Sequence, residues 1–185
     1  MTYVKERFTL DQSTKDLLQS MTPDFGYDGF GEFICYRTYS RNKADGSKEN
    51  WNDVVIRVTE GVGSIRKDWY LKNRIEWDEG FWQHYMLHFA VSMFNMEWLP
   101  PGRGLWAMGT DFIYERGSMA LYNCCWTNLT DDLDEDIAWM MDCLMCGAGV
   151  GFGPERNNQL QAYQPKNSYI YSIPDSREGW CESVK

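Results

Sequence analysis

No stretch of this 185-residue sequence approaches ~18 uncharged apolar residues, so no transmembrane helix is expected. The first residues lack the apolar region of a signal peptide, since Thr2–Asp11 is mostly polar, and the cytoplasm is the expected compartment. Basic residues are the minority. Eighteen Lys and Arg face 27 Asp and Glu, a net charge of -9, which argues against nucleic-acid binding through a broad basic surface. Internal repeats and low-complexity tracts are missing. The six cysteines are too few and too unevenly spaced for a secreted disulfide scaffold, yet many for a reducing compartment. Chemistry, metal binding or burial must account for them.

What is present is a large apolar fraction, 43%, and a heavy aromatic load, 16%, with nine Trp and eleven Tyr. A chain of this size can bury a core. Part of the aromatic load suits a partner surface. Ser13 or Thr14 is the expected cap of a short helix reaching Met21. Phe33–Tyr39 reads as a strand from its partial alternation, and Arg41–Asn50 as a polar loop. Trp51, Val54, Val55 and Val58 fall on one helical face. A second helix is expected over about Asp78–Trp98, apolar on more than half its circumference and so packed between two neighbours. His84 and His88 share a face there and read as ordinary packed histidines rather than a metal pair. Leu99–Gly104 (LPPGRG) ends that helix.

The later half carries the chemistry. Cys124 and Cys125 close the run ALYNCC. Vicinal disulfides are strained, so a redox partner of Cys124 is expected elsewhere, beyond its chain neighbour. Acidic Asp131, Asp132 and Asp134 open a helix with Leu133, Ile137, Met140, Met141 and Leu144 at helical spacing, ended by Gly147 and Gly149. Cys143 and Cys146 form a C-x-x-C near its end. Zinc would need two further ligands, such as Cys124 and Cys125; a local dithiol and plain burial are the other readings. The run Gly147, Gly149, Gly151, Gly153 follows a helix, whereas a Rossmann loop precedes one, and the Gly-Lys-Ser/Thr ending of a Walker loop is missing. Such a loop could pass close to a substrate or simply turn the chain. Glu155–Lys166 reads as a polar loop and Ser168–Ile173 as a strand, and Asp175 or Ser176 could cap a helix starting at Arg177.

Taken together, Leu99–Asp111 (LPPGRGLWAMGTD), Leu121–Cys124 (LYNC), Gly147–Gly153 (GAGVGFG) and Ile173–Trp180 (IPDSREGW) resemble, in this order, the adenosylcobalamin-dependent ribonucleotide reductases. The monomeric ribonucleoside-triphosphate reductase type is the nearest likeness, and Glu49–Gly61 is similar too. The resemblance implies an α/β fold: a mainly helical region over residues 1–98, then, over 99–185, the first units of a ten-stranded α/β barrel left incomplete. It implies thiyl-radical reduction of ribonucleoside triphosphates. By the family's Asn-Cys motif, Asn123 and Cys124 would belong to the catalytic site, with Cys124 one of two reducing thiols. Pro101, Gly147, Gly149 and Gly151 would lie near substrate. Asp175 and Arg177 would lie near a deoxynucleotide effector. Adenosylcobalamin would be held mainly by sequence beyond Lys185, as would the radical cysteine and the second reducing thiol. The implied partners are a C-terminal reductase polypeptide, the ribonucleoside triphosphate, the effector and a thioredoxin-like reductant. The chain would then be either one part of a split enzyme, of the sort phage genomes carry, or a truncated product. An inactive remnant acting as a binding protein, or a small zinc module, are the alternatives. Cys125 and Cys181 depart from the family pattern.

Overall fold

The computed structural model describes residues 3–154, 166–168 and 170–185. Two compact units divide the chain, Met1–Leu121 and Tyr122–Lys185. The change of character expected between residues 98 and 99 falls inside the first.

The first unit is helical: α1 (Gln12–Ser20), α2 (Phe30–Thr38), α3 (Trp51–Lys72), α4 (Glu79–Phe94), α5 (Gly102–Ala107) and α6 (Asp111–Arg116). The long α3 is its axis. Asn50 caps it with a reciprocal capping box to Asp53. The expected face, Trp51, Val54, Val55 and Val58, is buried. Each valine costs the helix at most about 0.7 kcal/mol in propensity. Burying its side chain returns about 1.5–3 kcal/mol, so packing decides the structure here. Phe8, Leu18, Met86, Ala90, Met93 and Phe94 complete the same core. The Trp51 indole N–H donates to the Phe94 carbonyl at 3.0 Å, and Asn52 donates to the carbonyls of Leu18 and Met21 at the end of α1.

The extended N-terminal segment runs along α3, and one helical stripe receives it. Asp68 accepts from the amides of Lys5 and Glu6, the Ser64 hydroxyl from that of Phe8, and Glu60 from that of Leu10. These acceptors recur every four residues, one turn apart. A Cβ at Gly63 would meet the Phe8 ring at 2.4 Å, so the glycine makes the room.

Several expectations change. Asp11, rather than Ser13 or Thr14, caps α1; its carboxylate accepts from the Thr14 amide at 2.7 Å. Phe33–Tyr39 is not a strand: residues 33–38 lie in α2 and Tyr39 caps it. Only Cys35 there is buried, so the β-type composition had no sheet to join. The helix expected over Asp78–Trp98 stops at Phe94. It packs on α3 and α1, yet leaves Phe81, His84, Tyr85 and His88 exposed. The two histidines therefore meet each other at the surface, Nε2 to Nε2 at 3.2 Å, rather than in the core.

The second unit holds β1 (Cys124–Leu129), α7 (Leu133–Met145), β2 (Gly149–Pro154) and α8 (Arg177–Glu182). The two strands are parallel, with Cys124 opposite Gly149 and Trp126 opposite Gly151. This is one β–α–β unit, in which α7 supplies the crossover that parallel pairing requires. Ser176 caps α8 by accepting from the Gly179 amide. Among the described residues there are two strands, not a barrel. The glycine run is a strand rather than a loop from Gly149 onward. Ser168 and Ile170–Ile173 form no strand. Tyr169 and most of Glu155–Lys166 lie outside the described residues. No described helix is long and apolar enough to cross a membrane.

Candidate functional site

The start of β1 holds the thiols. Strand alternation sends successive side chains to opposite faces of the sheet. Cys124, Trp126 and Asn128 take the exposed face; Cys125, Thr127 and Leu129 take the half-buried one. Cys125 lies against Cys143 on α7, whose own thiol is fully buried. Burial, followed by the proximity of Cys125, pushes the Cys143 thiol up to about 12. It stays protonated at neutral pH, which removes it as a nucleophile. Cys124 is exposed.

The alternative reading, a zinc set, is not assembled among the described residues. Cys124 and Cys125 diverge because they are neighbours on a strand, and no group of three metal-ligating side chains gathers among the described residues. Within the C-x-x-C the two thiols have different neighbours. Cys146 accepts from Arg177 at 3.0 Å, while Cys143 faces Cys125. Arg177 also pairs with Asp142 at 3.1 Å, and Cys181 donates to the same carboxylate at 3.9 Å. These contacts fasten α8 to α7. Asp175 sits in the bend just before the Ser176 cap.

The glycines have separable tasks. Gly147 adopts φ +84 just beyond α7, with its amide bonded to Leu144 and that of Ala148 to Cys143. That is the Schellman ending, which favours glycine. Gly149 opens β2, its amide bonded to the Asn123 carbonyl at 2.8 Å, and so registers the two strands beside Cys124. Gly151 and Gly153 lie under the Trp126 ring: an added Cβ would approach it to 2.7 Å and 3.1 Å respectively. Sequence reasoning misses Trp126. The available signal was glycine at every second position, which on a strand means one bare face.

Pro101 belongs to the first unit, where it caps α5. That segment is gripped from α3 by Arg57. The guanidinium donates to the carbonyls of Leu105 and Met108 while paired with Glu49, itself buried, at 2.7 Å. Gly109 has φ +77, and an added Cβ would meet the Arg57 carbonyl oxygen at 2.2 Å.

Comparison with known proteins places this arrangement. The family described as ribonucleotide reductase alpha domain matches residues 10–110. The adenosylcobalamin-dependent ribonucleoside-triphosphate reductase of Euglena gracilis is 36% identical over 97% of this chain and 26% of its own length. The enzyme of that name from Lactobacillus gasseri is 28% identical over 94% of this chain and 31% of its own length. The chain thus spans about a quarter to a third of these relatives. The crystal structure of a B12-dependent (class II) ribonucleotide reductase superposes with a TM-score of 0.73 at 23% identity, covering 95% of this chain and 32% of that one. The α/β fold is therefore related to that of the class II reductases. With the matched domain and relatives taken together, the chain belongs to the adenosylcobalamin-dependent (class II) ribonucleotide reductase family.

Proposed function

We propose that this chain supplies the N-terminal part of a B12-dependent ribonucleotide reductase that converts ribonucleoside triphosphates to 2'-deoxyribonucleoside triphosphates, and that Cys124 is one of its two reducing thiols. The observation that carries the reading is the position of Cys124. It is exposed at the start of β1, on the face opposite the one that α7 covers. Cys125 is turned away toward Cys143. In the reducing step, Cys124 and a second thiol from the remaining reductase sequence give up two electrons and two protons. The ribose 2'-hydroxyl leaves as water, and the thiols end as a disulfide. A thioredoxin-like reductant restores them.

Asn123 holds the register of the two strands through its carbonyl, and so fixes where Cys124 stands. Asp175 and Arg177 are assigned to the effector region by the family pattern, and the Arg177 guanidinium is held here by Cys146 and Asp142.

Adenosylcobalamin belongs with the remaining sequence. In the first unit, an apolar groove of about 450 Å³ is lined by Phe25, Tyr27, Phe30, Tyr39, Trp51 and their neighbours. Its side chains offer almost no hydrogen-bonding groups for the amide-rich rim of a corrin. That groove does not fit the cofactor.

The test completes the reductase with the remaining sequence, supplied as a second polypeptide or in the same chain. Cys124→Ser is expected to abolish multiple-turnover reduction with a thioredoxin-type reductant, while assembly, followed by native mass, is unchanged. Cys125→Ser should retain most of the activity. Full turnover by Cys124→Ser refutes the role.

A further inference from the structure

The exposed face of the β1–β2 pair is bare except at three positions. Cys124, Trp126 and Asn128 stand on β1, and the β2 positions opposite them are Gly149, Gly151 and Gly153. The six-membered ring of Trp126 lies across the last two glycines. Its Cε3 and Cζ3 atoms occupy the space an alanine methyl would need at Gly151, and Cζ2 and Cη2 that at Gly153. The indole N–H donates to the Asn128 side chain at 3.4 Å. The residue is nevertheless 65% exposed. A tryptophan seated on glycine backbone, with its orientation held and its outer face open, is an aromatic shelf rather than a core residue.

Three glycines in a short strand are costly. Each gives up about 0.5–1 kcal/mol relative to alanine in a regular element. Two of them are explained by the seat they leave for the indole. The shelf stands two residues beyond Cys124 on the same face, roughly 6.6 Å along the strand. That separation is comparable with the distance from ribose to base within a nucleoside.

We propose that Trp126 is a substrate-binding residue, whose indole stacks on the base of the ribonucleotide while Cys124 faces the ribose. This rests on the reading of Cys124 as a reducing thiol. Stacking on a π-face tolerates every base, which suits an enzyme that must accept several nucleotides. It also assigns Gly151 and Gly153 a purpose: they do not touch substrate but set the height of the shelf.

The experiment uses the completed reductase, with KM and kcat measured for ribonucleoside triphosphates. Trp126→Leu keeps apolar bulk and removes the π-face; its KM should rise roughly 5- to 150-fold, with kcat changed much less. Trp126→Phe should restore most of the loss, which a merely packed side chain of the wrong size would not do. Gly151→Ala, by displacing the ring, should raise KM in the wild-type background and add little in Trp126→Leu, because the two changes act through one contact. Turnover with an unchanged KM in Trp126→Leu overturns the stacking role alone. Full turnover by Cys124→Ser in the same assay overturns the Cys124 reading and, with it, this inference.

Discussion

Cys124, Cys125 and Cys143 show how one residue of offset decides reactivity. Adjacent residues on a strand cannot share an environment. Cys125 is committed to the α7 side, while Cys124 is left open. Burial raises Cys143 to about 12, and burial with the charge of Glu49 raises Cys35 to about 11. Both therefore remain thiols near neutral pH, and neither is accessible. Brief treatment of the native chain with iodoacetamide at pH 7.5 should alkylate Cys124 first, and spare Cys35 and Cys143 until denaturant is added. Peptide mass spectrometry reads the order directly; modification of Cys143 ahead of Cys124 contradicts the burial argument. Sequence alone could name Cys124 only through the Asn-Cys pattern. Which of the two vicinal cysteines faces outward depends on strand phase, and that phase is set by pairing with β2.

Among the elements, α3 was the most legible. Its start carries the Asn50–Asp53 capping box, and its first two turns carry the apolar period Trp51, Val54, Val55 and Val58. Its buried residues beyond Val58, by contrast, are small or polar: Thr59, Gly61, Gly63, Ser64 and Asp68. The N-terminal segment laid along it was illegible, because its anchors are single polar atoms spaced by the helical turn of another element. Asp68 accepts two of these bonds. Burial opposes its ionisation, but hydrogen bonds from Lys72 and the amides of Lys5 and Glu6 outweigh that cost and hold the carboxyl below the usual range. A depressed carboxyl contributes stability that is present above its unfolded pKa and lost as pH falls through the folded one. Asp68→Ala should lower the unfolding free energy at pH 7 by about 1–3 kcal/mol. The gap between wild type and variant should shrink below about pH 4, where the unfolded carboxyl begins to take up its proton. Urea denaturation at pH 7 and pH 3 checks both. An equal gap at the two pH values would show that the carboxylate charge is not what holds the segment. β2 failed to read as a strand for the opposite reason. Glycine has poor strand propensity, and at Gly151 and Gly153 the strand is specified by what lies on it, the Trp126 ring, rather than by its own side chains.

At the scale of the whole chain, the two units differ in how much they bury. The first has a continuous core built on Phe8, Leu18, Val54, Val58, Met86 and Met93. In the second, the buried side chains among the described residues are small: Ala138, Cys143, Cys146 and Ala148. Yet α7 carries the apolar period of a helix meant to be covered on more than one side. Leu133 is 37% exposed, Ile137 39% and Leu144 54%. Four small buried side chains cannot offset the ordering of the backbone that holds them, at about 1–2 kcal/mol per residue. Larger apolar groups on α7 could do so if another surface covered them. Local stability should therefore be uneven. In hydrogen exchange on the chain alone, amides of α3 and α4 should be the slowest, and those of β1, α7 and β2 should exchange orders of magnitude faster. Adding the remaining reductase sequence should slow exchange in β1, α7 and β2 while leaving α3 nearly unchanged. Equal protection of α7 and α3 in the chain alone would mean that the second unit is stable without further cover, and would remove the physical reason for expecting the rest of an α/β barrel to close around it.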